Sequence, residues 1–95
     1  MIIQFVKFKS GLSDEEALRI MRERMPEFAA LPGLIQKYYS REETTGEFAG
    51  IYLWDSQESL DKFRQSELAK SIPIAYEAQG TPRIELLDVI DKLRE

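Results

Sequence analysis

The sequence predicts an α+β domain of the ferredoxin-like βαββαβ type, and three observations predict it. Four segments rich in β-branched and aromatic residues recur at 2–8, 34–41, 47–54 and 81 to about 90. Segments with helical apolar spacing separate the first from the second and the third from the fourth. The middle two strand segments are joined by a short polar stretch, as in a hairpin. That order gives a four-stranded antiparallel sheet with both helices on one face. Ninety-five residues suffice for one such domain, residues 1–95.

The elements follow in turn. Residues 2–8, IIQFVKF, form the first strand, closed by Ser10-Gly11. Ser13 is an N-cap and Glu16, three residues on, completes a capping box. Asp14, Glu15 and Glu16 suit the positive end of the helix dipole. Leu18, Met21, Met25 and Phe28 then share one helical face. Pro26 lacks a backbone donor and is expected to kink or shorten the last turn. Leu31-Pro32-Gly33 ends the element. Strand two is Leu34–Arg41, the turn is Glu42–Gly46, and strand three is Glu47–Trp54. Asp55 is the expected cap of the second helix, with Glu58 at the box position and Leu60 and Phe63 on its apolar face. Ser66 to Ile72 either continues that helix or forms a separate turn. Pro73 is expected to interrupt it, and the last strand to start at Thr81.

A strand with one wet face alternates apolar and polar residues. Strand three does not: Phe48, Gly50, Tyr52 and Trp54 lie on one side, and Ala49, Ile51 and Leu53 on the other. Strand one is similar, with Ile3 and Phe5 opposite Ile2, Val6 and Phe8. Two helices cover only one side. A second copy of the chain is the simplest cover for the other, which predicts a homodimer.

Composition excludes several functions. The chain has no cysteine, hence no disulfide, thiolate metal site or cysteine nucleophile. It has no histidine, which removes the usual proton shuttle, the Ser-His-Asp triad and the commonest metal ligand. Acidic residues outnumber basic ones, 17 to 13, and the basic ones are scattered, so no nucleic-acid partner is expected. No apolar run approaches the roughly 20 residues of a membrane span. The start, Met1 to Val6, lacks a basic region and cleavage site, so no signal peptide is expected and the cytoplasm is the expected compartment. The acidic residues lack the spacing of a metal loop, and the glycines are too dispersed for a phosphate loop.

The run PGLIQKYYSREETTGEFAGIYLWDSQES, residues 32–59, resembles the ydhR mono-oxygenases, within the antibiotic-biosynthesis-monooxygenase type of dimeric α/β barrel. The resemblance rests on Pro-Gly before strand two, the Lys-aromatic strand, the Gly-Ile-Tyr-Leu-aromatic strand and the acidic/Ser helix start. It covers about residues 32–66, and the rest by element order. The stretch from Trp54 through Phe63 and Ser66 is also similar to haem-degrading relatives, in which the residue matching Trp54 walls the pocket. Their haem-ligating histidine falls near Pro73 here, so histidine-ligated haem is not carried over. An asparagine on their first strand falls near Gln4.

In such barrels the pocket lies between the sheet and the helices. The resemblance puts Trp54 on that side, and alternation adds Tyr52, Gly50 and Phe48. Gly50 would leave a gap for a planar ligand. Trp54 and Tyr52 are equally suited to a core in which their polar atoms find hydrogen bonds. Tyr38 and Tyr39 point to opposite faces, and alternation alone does not choose between them. Tyr76 could close the pocket. Lys37 and Arg41 could bind an anionic substrate or stabilise an enolate, although such residues more often form surface ion pairs. The expected substrate-binding set is Gln4, Tyr38, Phe48, Tyr52, Trp54 and Tyr76. The resemblance implies a cofactor-independent monooxygenase-like protein that binds a small aromatic or quinol-type molecule, with no cofactor and no metal. A non-catalytic binding module, or a cyclase or isomerase, is the alternative. Without histidine, no general base stands out from the sequence.

Overall fold

The computed structural model describes residues 1–95. Its elements are β1 (Ile2–Ser10), α1 (Asp14–Ala29), β2 (Leu34–Arg41), β3 (Phe48–Trp54), α2 (Gln57–Arg64), α3 (Glu67–Ala75) and β4 (Ala78–Asp88). The strands form one antiparallel sheet in the order β2-β3-β1-β4. This is the ferredoxin-like α+β fold, with a third helix added before the last strand.

Side-chain oxygens set the helix starts. Ser13 Oγ accepts from Glu16 N at 3.2 Å and donates to the Glu16 carboxylate at 3.0 Å, tying the first turn of α1. The cap of α2 is Ser56 rather than Asp55. Ser56 Oγ accepts from Ser59 N at 3.2 Å, and Asp55 instead accepts a hydrogen bond from the Ser56 hydroxyl. Ser66 caps α3 in the same way, so this segment is a helix of its own.

Neither proline ends its helix. Pro26 lies inside α1, which continues to Ala29, and Pro73 lies inside α3. Each removes one donor near a helix end, where the remaining backbone still closes the turn: Ala30 N donates to Pro26 O, and Tyr76 N donates to Ile72 O. The chain then reverses at Glu77, φ 49°, so β4 starts three residues before the expected Thr81. Pro82 is tolerated in β4 because that strand is a sheet edge.

The core lies between the sheet and the helices. Trp54 and Leu60 are fully buried, joined by Tyr52, Phe28, Phe63 and Ile2. Tyr52 stacks on Trp54 at 6.1 Å between ring centres and 6° between planes, and Phe63 packs against both rings at a tilt of 39° and 33°. The opposite sheet face carries no helix. There Ile3 pairs with Leu53 and Phe5 with Ile51, all half-buried, while Tyr38 opposite Ile51 is 59% exposed.

A bulge in β2 decides which side chains reach the helices. Leu34 pairs with Trp54, but the next pair is Gln36 with Leu53, which leaves Ile35 as an extra residue. Beyond it Lys37 pairs with Tyr52, Tyr39 with Gly50 and Arg41 with Phe48. Lys37, Tyr39 and Arg41 therefore face the helices, and Tyr38 faces away.

Candidate functional site

A cavity of about 200 Å³ opens between α1, α3 and the sheet. Its walls are mainly apolar: Val6 and Phe8 from β1, Leu18, Met21 and Phe28 from α1, and Phe48 and Tyr52 from β3. Lys37 and Tyr39 from β2 and Tyr76 at the end of α3 add polar atoms. A cavity of about 150 Å³ holds a benzene molecule in another protein, so this volume suits an aromatic of one or two rings.

Lys37 is the unusual residue. Its Nζ lies 3.6 Å from the centre of the Phe28 ring, 4.3 Å from that of Tyr39 and 4.5 Å from that of Tyr52. No carboxylate lines the cavity, and Lys37 makes no ion pair. Burial, and secondarily the positive charge of Arg24, lower its pKa from 10.5 to about 7. At neutral pH a large share of this amine is uncharged and able to accept a proton.

The tyrosines behave in the opposite sense. Burial, with a smaller effect from Tyr39, pushes Tyr76 up to about 12. Burial also raises Tyr39 and, further, Tyr52. All three remain protonated donors at physiological pH. None of their hydroxyls has a protein hydrogen-bond partner, and neither does the Lys37 amine. Arg24 Nε is the one buried side-chain polar atom without a partner, so the other four groups are not sealed inside protein. Arg24 is held by Ser71, whose Oγ accepts from its guanidinium at 2.5 Å. Arg41 is neutralised by Asp14 at the start of α1, at 2.5 Å.

The family model described as "Putative mono-oxygenase ydhR" matches residues 2–80. The chain belongs to the ydhR mono-oxygenase family. Solved structures share the fold at low sequence identity. A putative antibiotic biosynthesis monooxygenase from Caulobacter crescentus superposes with a TM-score of 0.79 and 21% identity, over 95% of this chain and 90% of that one. SnoaB, a cofactor-independent oxygenase from Streptomyces nogalater, gives 0.76 and 17% over 99% and 98%. A conserved protein from Methanosarcina mazei gives 0.72 and 21% over 92% and 91%. No curated protein matches the sequence.

In this ydhR-family chain the residues expected from sequence divide into three groups. Phe48, Tyr52 and Tyr76 line the cavity. Trp54 and Gln4 lie behind it: Trp54 is fully buried, and its Nε1 donates to Gln4 Oε1 at 3.0 Å, inside the core. Trp54 supports the Tyr52 wall, and Gln4 lines a second cavity of about 220 Å³ with Val6, Phe63 and Ile72. Tyr38 lies on the far side of the sheet, and Tyr39 takes the place expected for it, because of the Ile35 bulge. Gly50 lines the cavity as well, but a Cβ there would meet Tyr52 Cε1 at 3.1 Å and Lys37 Cε at 3.5 Å, so the chain's own side chains take up part of the gap. The sequence signal for Lys37 was a lysine directly before two tyrosines on a strand, read there as a possible anion-binding residue.

Proposed function

We propose that this chain is a cofactor-independent monooxygenase for a small electron-rich aromatic, of the phenol or quinol type, bound between the sheet and the helices. The observation that carries the reading is the unpaired Lys37 amine in the same apolar cavity as three unpartnered tyrosine hydroxyls. Lys37 Nζ takes the proton of a substrate hydroxyl. The resulting ammonium then sits beside the oxyanion it created, and Tyr39, Tyr52 and Tyr76 supply hydrogen bonds to the same charge. An electron-rich ring deprotonated in this mainly apolar cavity can react directly with dioxygen. The sum is quinol plus O₂ giving hydroxyquinone plus water: one oxygen atom enters the ring, the other leaves as water, and the ring supplies four electrons. No further reductant is needed.

The active unit in this reading is a single domain, residues 1–95, paired with a second copy through the helix-free sheet face. The apolar side chains of β1 and β3 on that face support it, as do Ile90 and Leu93, which are 99% and 90% exposed beyond β4.

The test is oxygen uptake with a dihydroxynaphthalene, using isotopically labelled O₂. The expected result is uptake above the uncatalysed rate, with label in the hydroxynaphthoquinone product. Uptake equal to autoxidation, or yielding only hydrogen peroxide, overturns the reading. If the diol binds without turnover, the cavity is a binding site and the chain is not an oxygenase.

A further inference from the structure

We propose that Lys37 captures aromatic aldehydes and ketones covalently, as an imine formed inside the cavity between the sheet and the helices. The inference uses the cavity of the proposed function but none of its oxygen chemistry.

The geometry singles out this amine among six lysines. Lys62, Lys70 and Lys92 are ion-paired with Glu58, Glu67 and Glu95 at 3.2, 3.8 and 3.4 Å, and each stands in water. Lys7 lies on the helix-free face and Lys9 is exposed. Lys37 alone lines the cavity, with its Nζ between the rings of Phe28, Tyr39 and Tyr52 and no acid to hold it as an ammonium. The charged and titratable groups around it all favour the free amine or can assist it. From α1 comes the cation Arg24, and from β2, β3 and the end of α3 come the protonated phenols of Tyr39, Tyr52 and Tyr76. Arg41, from the same strand, is already matched by Asp14. A desolvated lysine beside another cation is the arrangement that makes this side chain nucleophilic.

The walls select the carbonyl partner. An aromatic ring fits the apolar cavity, and its carbonyl group can lie against Nζ. The nitrogen lone pair forms the new bond to the carbonyl carbon while the carbonyl π pair moves to oxygen. A proton passes from nitrogen to oxygen, giving the carbinolamine. The hydroxyl then leaves as water with a proton from a tyrosine, the nitrogen lone pair forms the C=N bond as an iminium, and the iminium N–H returns its proton to the tyrosinate. One amine and one carbonyl give one imine and one water, with no net redox change.

The experiment treats the whole chain with benzaldehyde and cyanoborohydride at neutral pH, then locates the label by peptide mapping. The expected result is one benzyl group per chain, on Lys37, with a labelling rate that is half-maximal near pH 7. Acetaldehyde, which lacks a ring, should label Lys37 at least tenfold more slowly. Lys37→Met should remove the adduct, but the mapping is read on the wild-type chain and needs no variant to fold. Label spread over the surface lysines and the Met1 amine, or equal rates with both aldehydes, overturns the proposal. Loss of oxygen uptake in the earlier test leaves this result untouched, and failure of labelling leaves the oxygenase reading intact.

Discussion

Lys37 Nζ of β2 lies 3.6 Å from the centre of the Phe28 ring of α1. Two effects compete at that contact. Aromatic faces attract a cation, by about 0.5–2 kcal/mol. Loss of hydration disfavours it, and a pKa lowered from 10.5 to about 7 corresponds to about 5 kcal/mol at 1.36 kcal/mol per unit. Desolvation is the larger, so the rings act less as a cage for an ammonium than as a dry wall around an amine.

Removing that amine should therefore separate stability from activity. Lys37→Met fills the same space without a group that must lose its water, so the variant is expected to unfold at a higher temperature than the wild type at neutral pH. Turnover of the dihydroxynaphthalene should fall by about 10²-fold or more, the usual contribution of a positioned base. Lys37→Arg should not restore it, since a guanidinium remains charged and cannot accept the proton. Full activity in either variant would remove Lys37 from the mechanism.

Stability should also carry the signature of this group in its pH dependence. The folded pKa is depressed, so between about 7 and 10.5 the unfolded chain holds a proton that the folded chain has released. Stability consequently rises with pH across that window, by up to about 1.4 kcal/mol per pH unit, and the full cost of burial is present below it. Above about 10 the tyrosines reverse the trend. Their folded pKa values are raised, so the unfolded chain loses protons first and stability falls. Denaturant unfolding from pH 7 upward should show a maximum near pH 10, and Lys37→Met should flatten the rising limb. A wild-type curve without that limb would contradict the burial of a protonatable amine.

Much of this arrangement was legible in the sequence, and the exceptions have identifiable causes. Strand periodicity located β1, β2 and β3 to within two residues, and Ser13 with Glu16 marked the start of α1. Alternation failed at one residue. Leu34 packs against the core, and counting by twos from it puts Tyr38 inward; the unpaired Ile35 inverts every later position, so Lys37 and Tyr39 face the helices. Nothing in the residue types announces that bulge. Pro73 misled for a different reason: it sits inside α3, which continues to Ala75 and closes with Tyr76 N donating to Ile72 O, while Pro26 lies in the last turn of α1. Gly50 was read as a gap for a planar ligand, and its nearest neighbours are the Tyr52 ring and the Lys37 stem.

That close approach gives a third prediction. In Gly50→Ala the new methyl would stand 3.1 Å from Tyr52 Cε1, tighter than van der Waals contact, and 3.5 Å from Lys37 Cε. Tyr52 is held on its other side by Trp54 and Phe63, so the displacement falls on the ring and on the lysine. Overpacking of this kind costs about 1–3 kcal/mol. The expected variant folds, with a lowered melting temperature and at least a tenfold loss of turnover, because the amine and the Tyr52 hydroxyl move together. Unchanged kinetics would show that the site tolerates a shift in both groups.

The helix-free sheet face gives the last prediction. Ile3, Phe5, Ile51 and Leu53 form a contiguous apolar strip across β1 and β3, and Tyr38 and Leu87 extend it onto β2 and β4 while remaining 59% and 51% exposed. A strip of this kind on both central strands costs free energy in water and is relieved by a self-complementary copy, since a two-fold interface sets the same patch against itself. Sedimentation at micromolar concentration should give twice the 11.0 kDa chain mass. Leu53→Arg places a charge in the middle of the strip, on the side away from the Lys37 cavity, and should shift the protein to monomer while leaving the Lys37 labelling pattern in place. A wild-type chain that sediments at 11.0 kDa would mean that this face is stable in water, and the pairing of two copies would have to be abandoned without disturbing the case for Lys37.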